Sequence, residues 1–327
     1  MVNILTMSHN HHSSRIVVIG AGWAGVWSAL GAARILEQAG RKDVEVVVLA
    51  PEPNLLIRVR LYEADISNIK PDVQELFESL GIRFIPAHVL HIRTSKHEVE
   101  YWVPGTNHET HTISYDRLVL ASGSQVAKPD IVGLGHAFTV DNYPDAVKLD
   151  KHLHSLASST PSLARNTIVI AGCGFTGIEV ACEMPSRLRS ILGENNYQVV
   201  VVERAGAIGP DLGPGPRPVI EKALEALGIK VYTGESVASV QEDALITSSG
   251  RRIETMTVIW TAGLVANDLT LQIPGARLDP NGRIQVNDYL MIDAVPDIFL
   301  AGDVARAPAD DQGHFTLMSC QHAIPMG

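Results

Sequence analysis

RIVVIGAGWAGVWSAL, residues 15–30, decides how this chain folds. Arg15 to Ile19 is a short, apolar, β-branched run of the kind that makes a buried parallel strand. Gly20-Ala-Gly22-Trp-Ala-Gly25 then turns directly into a helix of small and apolar residues. Each glycine is there for a physical reason. Gly20 makes the tight turn, Gly22 lets a pyrophosphate approach the backbone, and Gly25 lets helix and strand pack closely. The phosphates then meet the positive end of the helix dipole, where backbone N–H groups lack partners. Without a ligand, the same pattern is a plain strand-to-helix turn.

A second copy separates these readings. Residues 167–182, TIVIAGCGFTGIEVAC, repeat strand, Gly172-x-Gly174-x-x-Gly177 and helix in the same register. An internal repeat of a whole dinucleotide fingerprint implies two nucleotides in one chain, most simply a flavin reduced by a nicotinamide. One NAD site beside a decayed copy is the alternative.

Composition narrows the class. A chain of 327 residues suggests about two domains, and with 46% hydrophobic against 19% charged residues it can bury a sizeable core. A net charge of −10 argues against nucleic acid as a partner, because a phosphate backbone demands a basic surface. Cys173, Cys182 and Cys320 lack regular spacing, which excludes a disulfide framework and suits a reducing compartment. The first fourteen residues lack the basic start and apolar run of a signal peptide. There, His9, His11 and His12 read as a polar tail before they read as metal ligands. No apolar run approaches the roughly twenty residues of a membrane span, so a cytoplasmic protein is expected, at most peripheral on the inner face of a membrane.

Around the two fingerprints the chain repeats one plan. After the first helix Gly40 reads as a C-cap, and Val44 to Leu49 as a strand. Pro71 to Leu80 reads as an amphipathic helix, Ile82 to Ile85 as a third strand, and His88 to Ser114 as an antiparallel excursion. Residues 115–124, YDRLVLASGS, return as a strand into a small-residue turn in which Ser122 and Gly123 are candidate cofactor contacts. The second unit follows with strands 167–171, 198–202, 229–232 and 257–260, helices from 177 and over 216–227, and alternating residues at 236–254. Its last strand ends in Thr261-Ala-Gly263, matching ASGS. The fold class is therefore α/β, with two Rossmann-like dinucleotide-binding domains, each carrying a small antiparallel meander. The expected boundaries are residues 1–145 with 284–327 for a discontinuous domain around the first fingerprint and 146–283 for a domain around the second.

The fingerprint predicts an acid at the end of the second strand, about twenty or more residues past the glycines, to hold a ribose hydroxyl. In the second unit this is Glu203, and a carboxylate there favours NADH over NADPH, although Arg204 beside it is able to receive a 2′-phosphate. In the first unit Ala50 takes that place and Glu52 follows two residues later, as ribose ligand or as an exposed loop acid. Arg58 and Arg60 face flavin or pyrophosphate, or else form a salt bridge to Glu63 or sit at the surface. Ile298 to Val304, within IFLAGDVA, reads as a strand ending in Gly302-Asp303, where the aspartate reaches a ribityl hydroxyl or merely caps.

The order GxGxxG, YDRLVLASGS, GxGxxG, TAG and AGDVA resembles the FAD-dependent pyridine nucleotide oxidoreductases across nearly the whole chain. RLYE, GFTGIEVA, WTAGLVAN and MSCQHAIPMG look most like the type II NADH dehydrogenases. The resemblance implies FAD across Gly20, Gly22, Gly25 and Asp303, and NADH across Gly172, Gly174, Gly177, Glu203 and Gly263. Glu179 matches the family glutamate near the nicotinamide and flavin rings; from the residue alone, it is an acid favourable to a helix N-terminus. No CxxxxC pair follows the first fingerprint, so electrons leave the flavin directly. Of the quinone-reducing AQxAxQxG stretch, CQHAIPMG keeps Gln321 and has Pro325 for the second glutamine. The family continues beyond the point reached at Gly327 into an interface or membrane-anchoring segment. A fragment or short form is therefore expected, with homodimerisation and membrane contact resting on that further part. The implied function is hydride transfer from NADH to flavin and on to a quinone or other small acceptor. The alternatives are a reductase of a small iron–sulfur partner, or a redox regulator that binds FAD and NADH without turnover.

Overall fold

A computed structural model describes residues 14–193 and 196–327; His9, His11 and His12 lie outside them. The chain gathers into two compact units. One takes the chain up to Leu55, Pro71–Ser124 and Val265–Gly327; the other takes Leu56–Lys70 and Gln125–Leu264.

In the first unit, strand Ser14–Ile19 pairs in parallel with Val44–Ala50 on one side and Arg117–Leu120 on the other. Arg83–Pro86 and Val295–Leu300 extend the parallel array, and Met291–Ile292 adds an antiparallel edge, giving six strands. Parallel strands covered on both faces read as unbroken apolar runs, and Val17, Val18, Val47 and Val48 are all fully buried. Helix Trp23–Gln38 covers one face, turning Ala24, Gly25, Val26 and Ala29 inward so that the helix lies close to the sheet. It stops at Gly40, φ +63°, where the Gly40 N–H donates to Glu37 O and the Arg41 N–H to Leu36 O. Those are the two bonds of a Schellman motif. The opposite face packs on an antiparallel meander, His88–Arg93, Glu98–Trp102 and Thr110–Ser114. Alternation turns its Val99, Tyr101 and Ile113 to the core.

The second unit repeats the plan with four parallel strands, in the order Lys230–Thr233, Gln198–Glu203, Thr167–Ala171, Thr257–Trp260. Helices Phe175–Leu192 and Tyr143–Ser155 bury Val180, Met184, Leu149 and Leu153 on one face. On the other face, the meander Val237–Val240, Ala244–Thr247 and Arg252–Glu254 buries Val240, Leu245 and Ile253.

The differences from the sequence reading lie at ends and boundaries. The helix expected from Pro71 spans only Gln74–Ser79, because Asp72 first bridges to Asn54 and accepts the Gln74 N–H. The strand read at 298–304 runs Val295–Leu300 and ends before Gly302, whose φ of +74° leaves extended geometry. The chain passes from one unit to the other after Ser124 and again after Leu264, whereas the expected domains change after 145 and after 283. Leu61 and Ile69 pack in the second unit's core, Phe138 bridges Ile259 there, and Ala266 and Ile273 pack in the first unit's core.

Candidate functional site

The two glycine turns have the same geometry. Gly20 has φ +113° and Gly172 φ +107°, and each N–H donates to the neighbouring strand, at Leu49 O (2.8 Å) and Val202 O (2.9 Å). A Cβ on Gly20 would lie 2.2 Å from Ala121 O, and one on Gly172 would lie 3.0 Å from Ala262 Cα. A Cβ on Gly25 would lie 2.0 Å from Gly20 O, and one on Gly177 2.1 Å from Gly172 O. The middle glycines differ in kind. Gly22 (φ −78°, ψ −173°) and Gly174 (φ −76°, ψ −170°) cap their helices with ordinary backbone angles, and a Cβ there would meet nothing within 4 Å. The first and third glycines are therefore required by the protein's own packing. The middle one leaves open space beside a helix N-terminus, the cradle that a dinucleotide diphosphate fits.

In the second unit, Glu203 closes strand Gln198–Glu203 with 8% of its surface exposed. One carboxylate oxygen accepts the Cys173 N–H at 2.6 Å and the other accepts the Ala205 N–H at 2.6 Å. The carboxylate therefore braces the turn between Gly172 and Gly174 and stands at the strand end where a ribose is expected. Arg204 is exposed beside it. Thr261 Oγ donates to Ala171 O at 3.1 Å, tying the TAG turn to the fingerprint strand, and Gly263 follows at φ +81°. Glu179 lies two residues past Gly177 on the fingerprint helix; its side chain reaches solvent, while the protein packed along it raises its carboxyl above the ordinary value.

In the first unit Ala50 stands where Glu203 stands in the second, since Leu49 and Val202 accept the corresponding glycine N–H groups. Glu52 is exposed and accepts from the Asn54 side chain at 3.0 Å. Ser122 Oγ is buried without a hydrogen-bond partner, and Gly123, φ +73°, accepts the Asn267 N–H at 2.9 Å. Asp303 sits on the turn after strand Val295–Leu300 and accepts from Ser124 Oγ at 2.6 Å. Gly302 lies against the fingerprint helix, where an added Cβ would be 2.9 Å from Ala24 Cβ. Gln321 is exposed at the start of the terminal helix Cys320–Met326, whose Ala323 packs with Ala24, Ala121 and Ala301.

Arg58 is ion-paired to Asp141 and Arg60 to Glu63, both within the second unit. Neither Ser124, within the ASGS turn, nor Arg187 stands out in the sequence as a site residue. Arg187 is 5% exposed and donates to Tyr62 O at 2.9 Å and to Asp150 at 2.6 Å, joining three segments. Only its helical spacing hinted at this, since it falls on the face that buries Val180 and Met184. Among the described residues, no group of three or more His, Cys, Asp or Glu side chains is placed to hold a metal ion, and no helix is long and apolar enough to cross a membrane.

Comparison with known proteins agrees with this architecture. Residues 14–327 match the family profile of the pyridine nucleotide-disulphide oxidoreductases. An NADH dehydrogenase-like protein of Mycobacterium tuberculosis is 44% identical over 320 residues, covering 96% of this chain and 78% of that protein. The demethylphylloquinone reductase of Synechocystis sp. is 27% identical, covering 95% and 76%. The structure of NDH2 from Plasmodium falciparum in complex with NADH superimposes with a TM-score of 0.78 at 17% identity, over 90% of this chain and 65% of that one, which is a likeness of fold. With both fingerprints, the acid of the second and the extended match in agreement, the chain belongs to the pyridine nucleotide-disulphide oxidoreductase family, enzymes that work with FAD and a nicotinamide dinucleotide.

Proposed function

We propose that the first unit binds FAD, the second binds NADH, and the enzyme passes electrons from NADH to a quinone. The observation that carries the reading is the paired turn: two cradles of matching shape, of which only the second has a carboxylate at the ribose position. Bound FAD supplies hydride acceptance and the return of an electron pair. The chain's own residues do the rest. Gly22 and Gly174 keep the diphosphate paths open. Glu203 accepts ribose hydroxyls and repels a 2′-phosphate, favouring NADH over NADPH. Gly123 and Gly263 hold the turns beside the two cradles, and Asp303, steadied by Ser124, offers a carboxylate to the FAD ribityl chain. Glu52 remains a proposed FAD contact, and Arg58 a proposed cofactor contact, on their sequence positions alone. Glu179, with its raised carboxyl, is proposed to hold a proton near the reacting rings, and Gln321 to contact the acceptor. The quinone is supported by the Synechocystis relative, named as a demethylphylloquinone reductase. The balanced reaction takes NADH, a proton and a quinone to NAD⁺ and a quinol.

The test is anaerobic addition of NADH or NADPH to the flavin-loaded protein, followed in the visible flavin band. Fast bleaching by NADH and much slower bleaching by NADPH is expected. A yellow protein that NADH leaves unbleached would sink the dehydrogenase reading.

A further inference from the structure

Away from the glycine turns, the second unit has a cleft of about 200 Å³. It opens at the start of strand Thr257–Trp260; the Thr261–Gly263 turn follows that strand's other end, about 10 Å further along. Val240 and Val258, each 3% exposed, form its floor, and Phe138 and Met256 line it beside them. His152, stacked on Phe138 with ring centroids 4.3 Å apart, also lines it, and the exposed Glu242 lies at its mouth.

Backbone hydrogen bonds pin these walls. The Phe138 N–H donates to Val258 O at 2.8 Å, and the Trp260 N–H donates to Phe138 O at 2.7 Å. The Val240 N–H donates to Val132 O at 2.9 Å, and a Cβ on Gly133 would lie 1.9 Å from Val240 O. The cleft is therefore preformed, as small-molecule sites usually are.

Size and charge narrow what it takes. An apolar cavity of about 150 Å³ holds benzene, so one benzene ring with a short chain suits this volume. The lining has one carboxylate, Glu242, and no lysine or arginine. Among the described residues Glu242 meets no ion-pair partner, whereas its neighbour Asp243 is paired with Arg252. Burial lowers the pKa of His152, and its Nε2 shares a hydrogen bond with Thr257 Oγ at 2.7 Å, so it adds no charge near neutral pH. The Lys148 ammonium, 5.6 Å from the Phe138 centroid, stands outside the lining and is exposed to water, which screens it.

We propose that this cleft binds a small aromatic amine, its ring against Phe138, Met256 and the two valines and its ammonium paired with Glu242.

The test is methyl NMR of the full chain with phenethylamine, and with phenylacetate, which has the same ring and the opposite charge. Saturable shifts of the Met256, Val240 and Val258 methyl signals are expected at millimolar phenethylamine, with phenylacetate about tenfold weaker. Glu242→Gln, a change at an exposed side chain, should weaken phenethylamine about fivefold and bring the two ligands within about twofold of each other. The shifts should persist in saturating NAD⁺, because the second glycine turn lies beyond the other end of the strand. Methyl signals that stay still, equal binding of the two ligands by wild type, an undiminished preference for the amine in Glu242→Gln, or displacement by NAD⁺ would each overturn the proposal.

Discussion

Glu203 holds the Cys173 and Ala205 amides with its two oxygens, so its removal affects the fold as well as the ligand. Ala in its place leaves two backbone donors unmet, at about 1–3 kcal/mol for each that stays buried. We expect Glu203→Ala to lose about 2 kcal/mol or more in chemical denaturation, and Glu203→Gln, with one acceptor oxygen left, to lose less. Equal stability of all three proteins would contradict the brace. That an acid belongs at this position was legible in the sequence, because the fingerprint sets its distance from the glycines. Its bracing of the turn was hidden, since that depends on the register of Gln198–Glu203 against Thr167–Ala171. The unmet hydroxyl of Ser122 was hidden for a similar reason: ASGS announces a turn, and only three-dimensional packing shows which of its hydroxyls finds a partner.

Within the elements, each fingerprint helix approaches its strand only because a glycine stands where the first glycine's carbonyl lies. Gly25→Ala or Gly177→Ala sets a methyl about 2 Å from backbone that cannot give way, and should cost about 3 kcal/mol or more, read as a lowered unfolding midpoint. Arg187 fastens helix Phe175–Leu192 to Asp150 and to the Tyr62 carbonyl. Removing one partner of a buried pair costs about 3–5 kcal/mol; with Asp150 partly exposed, Arg187→Met should lie near the lower figure, and a wild-type midpoint would contradict this role. His152, on helix Tyr143–Ser155, stacks on Phe138 and shares a 2.7 Å hydrogen bond with Thr257. Burial lowers its pKa, against a smaller opposing effect of a backbone hydrogen bond to Met256. The unfolded chain therefore takes up this proton first as pH falls through about 6.5, and stability present above that value is lost below it. The midpoint of wild type should fall more steeply than that of His152→Gln between about pH 7 and pH 5; identical slopes would contradict it. The strands and helices themselves were legible from apolar runs and glycine stops, whereas the late start at Gln74 was not, because it follows from the pairing of Asp72 with Asn54.

For the molecule as a whole, the repeat carried the fold, since each turn states its glycine logic locally and the copies confirm each other. The boundaries were less legible. Segment 56–70 interrupts the first unit in sequence yet packs Leu61 and Ile69 into the second unit's core, and residues 265–283 follow the second unit yet pack Ala266 and Ile273 into the first unit's core. Hydrophobic residues state that they are buried without stating in which core. Two turns of one shape are held to serve two different dinucleotides, and Gly22 and Gly174 isolate that claim because an added methyl meets no protein atom within 4 Å at either. The most direct measurement is bound flavin and anaerobic NADH bleaching in Gly22→Ala and Gly174→Ala. Both should fold; Gly22→Ala should be isolated without flavin, and Gly174→Ala should keep its flavin and need about tenfold or more NADH to bleach. A Gly174→Ala protein that loses flavin, or bleaches at wild-type NADH concentrations, or a Gly22→Ala protein that keeps its flavin, would contradict it.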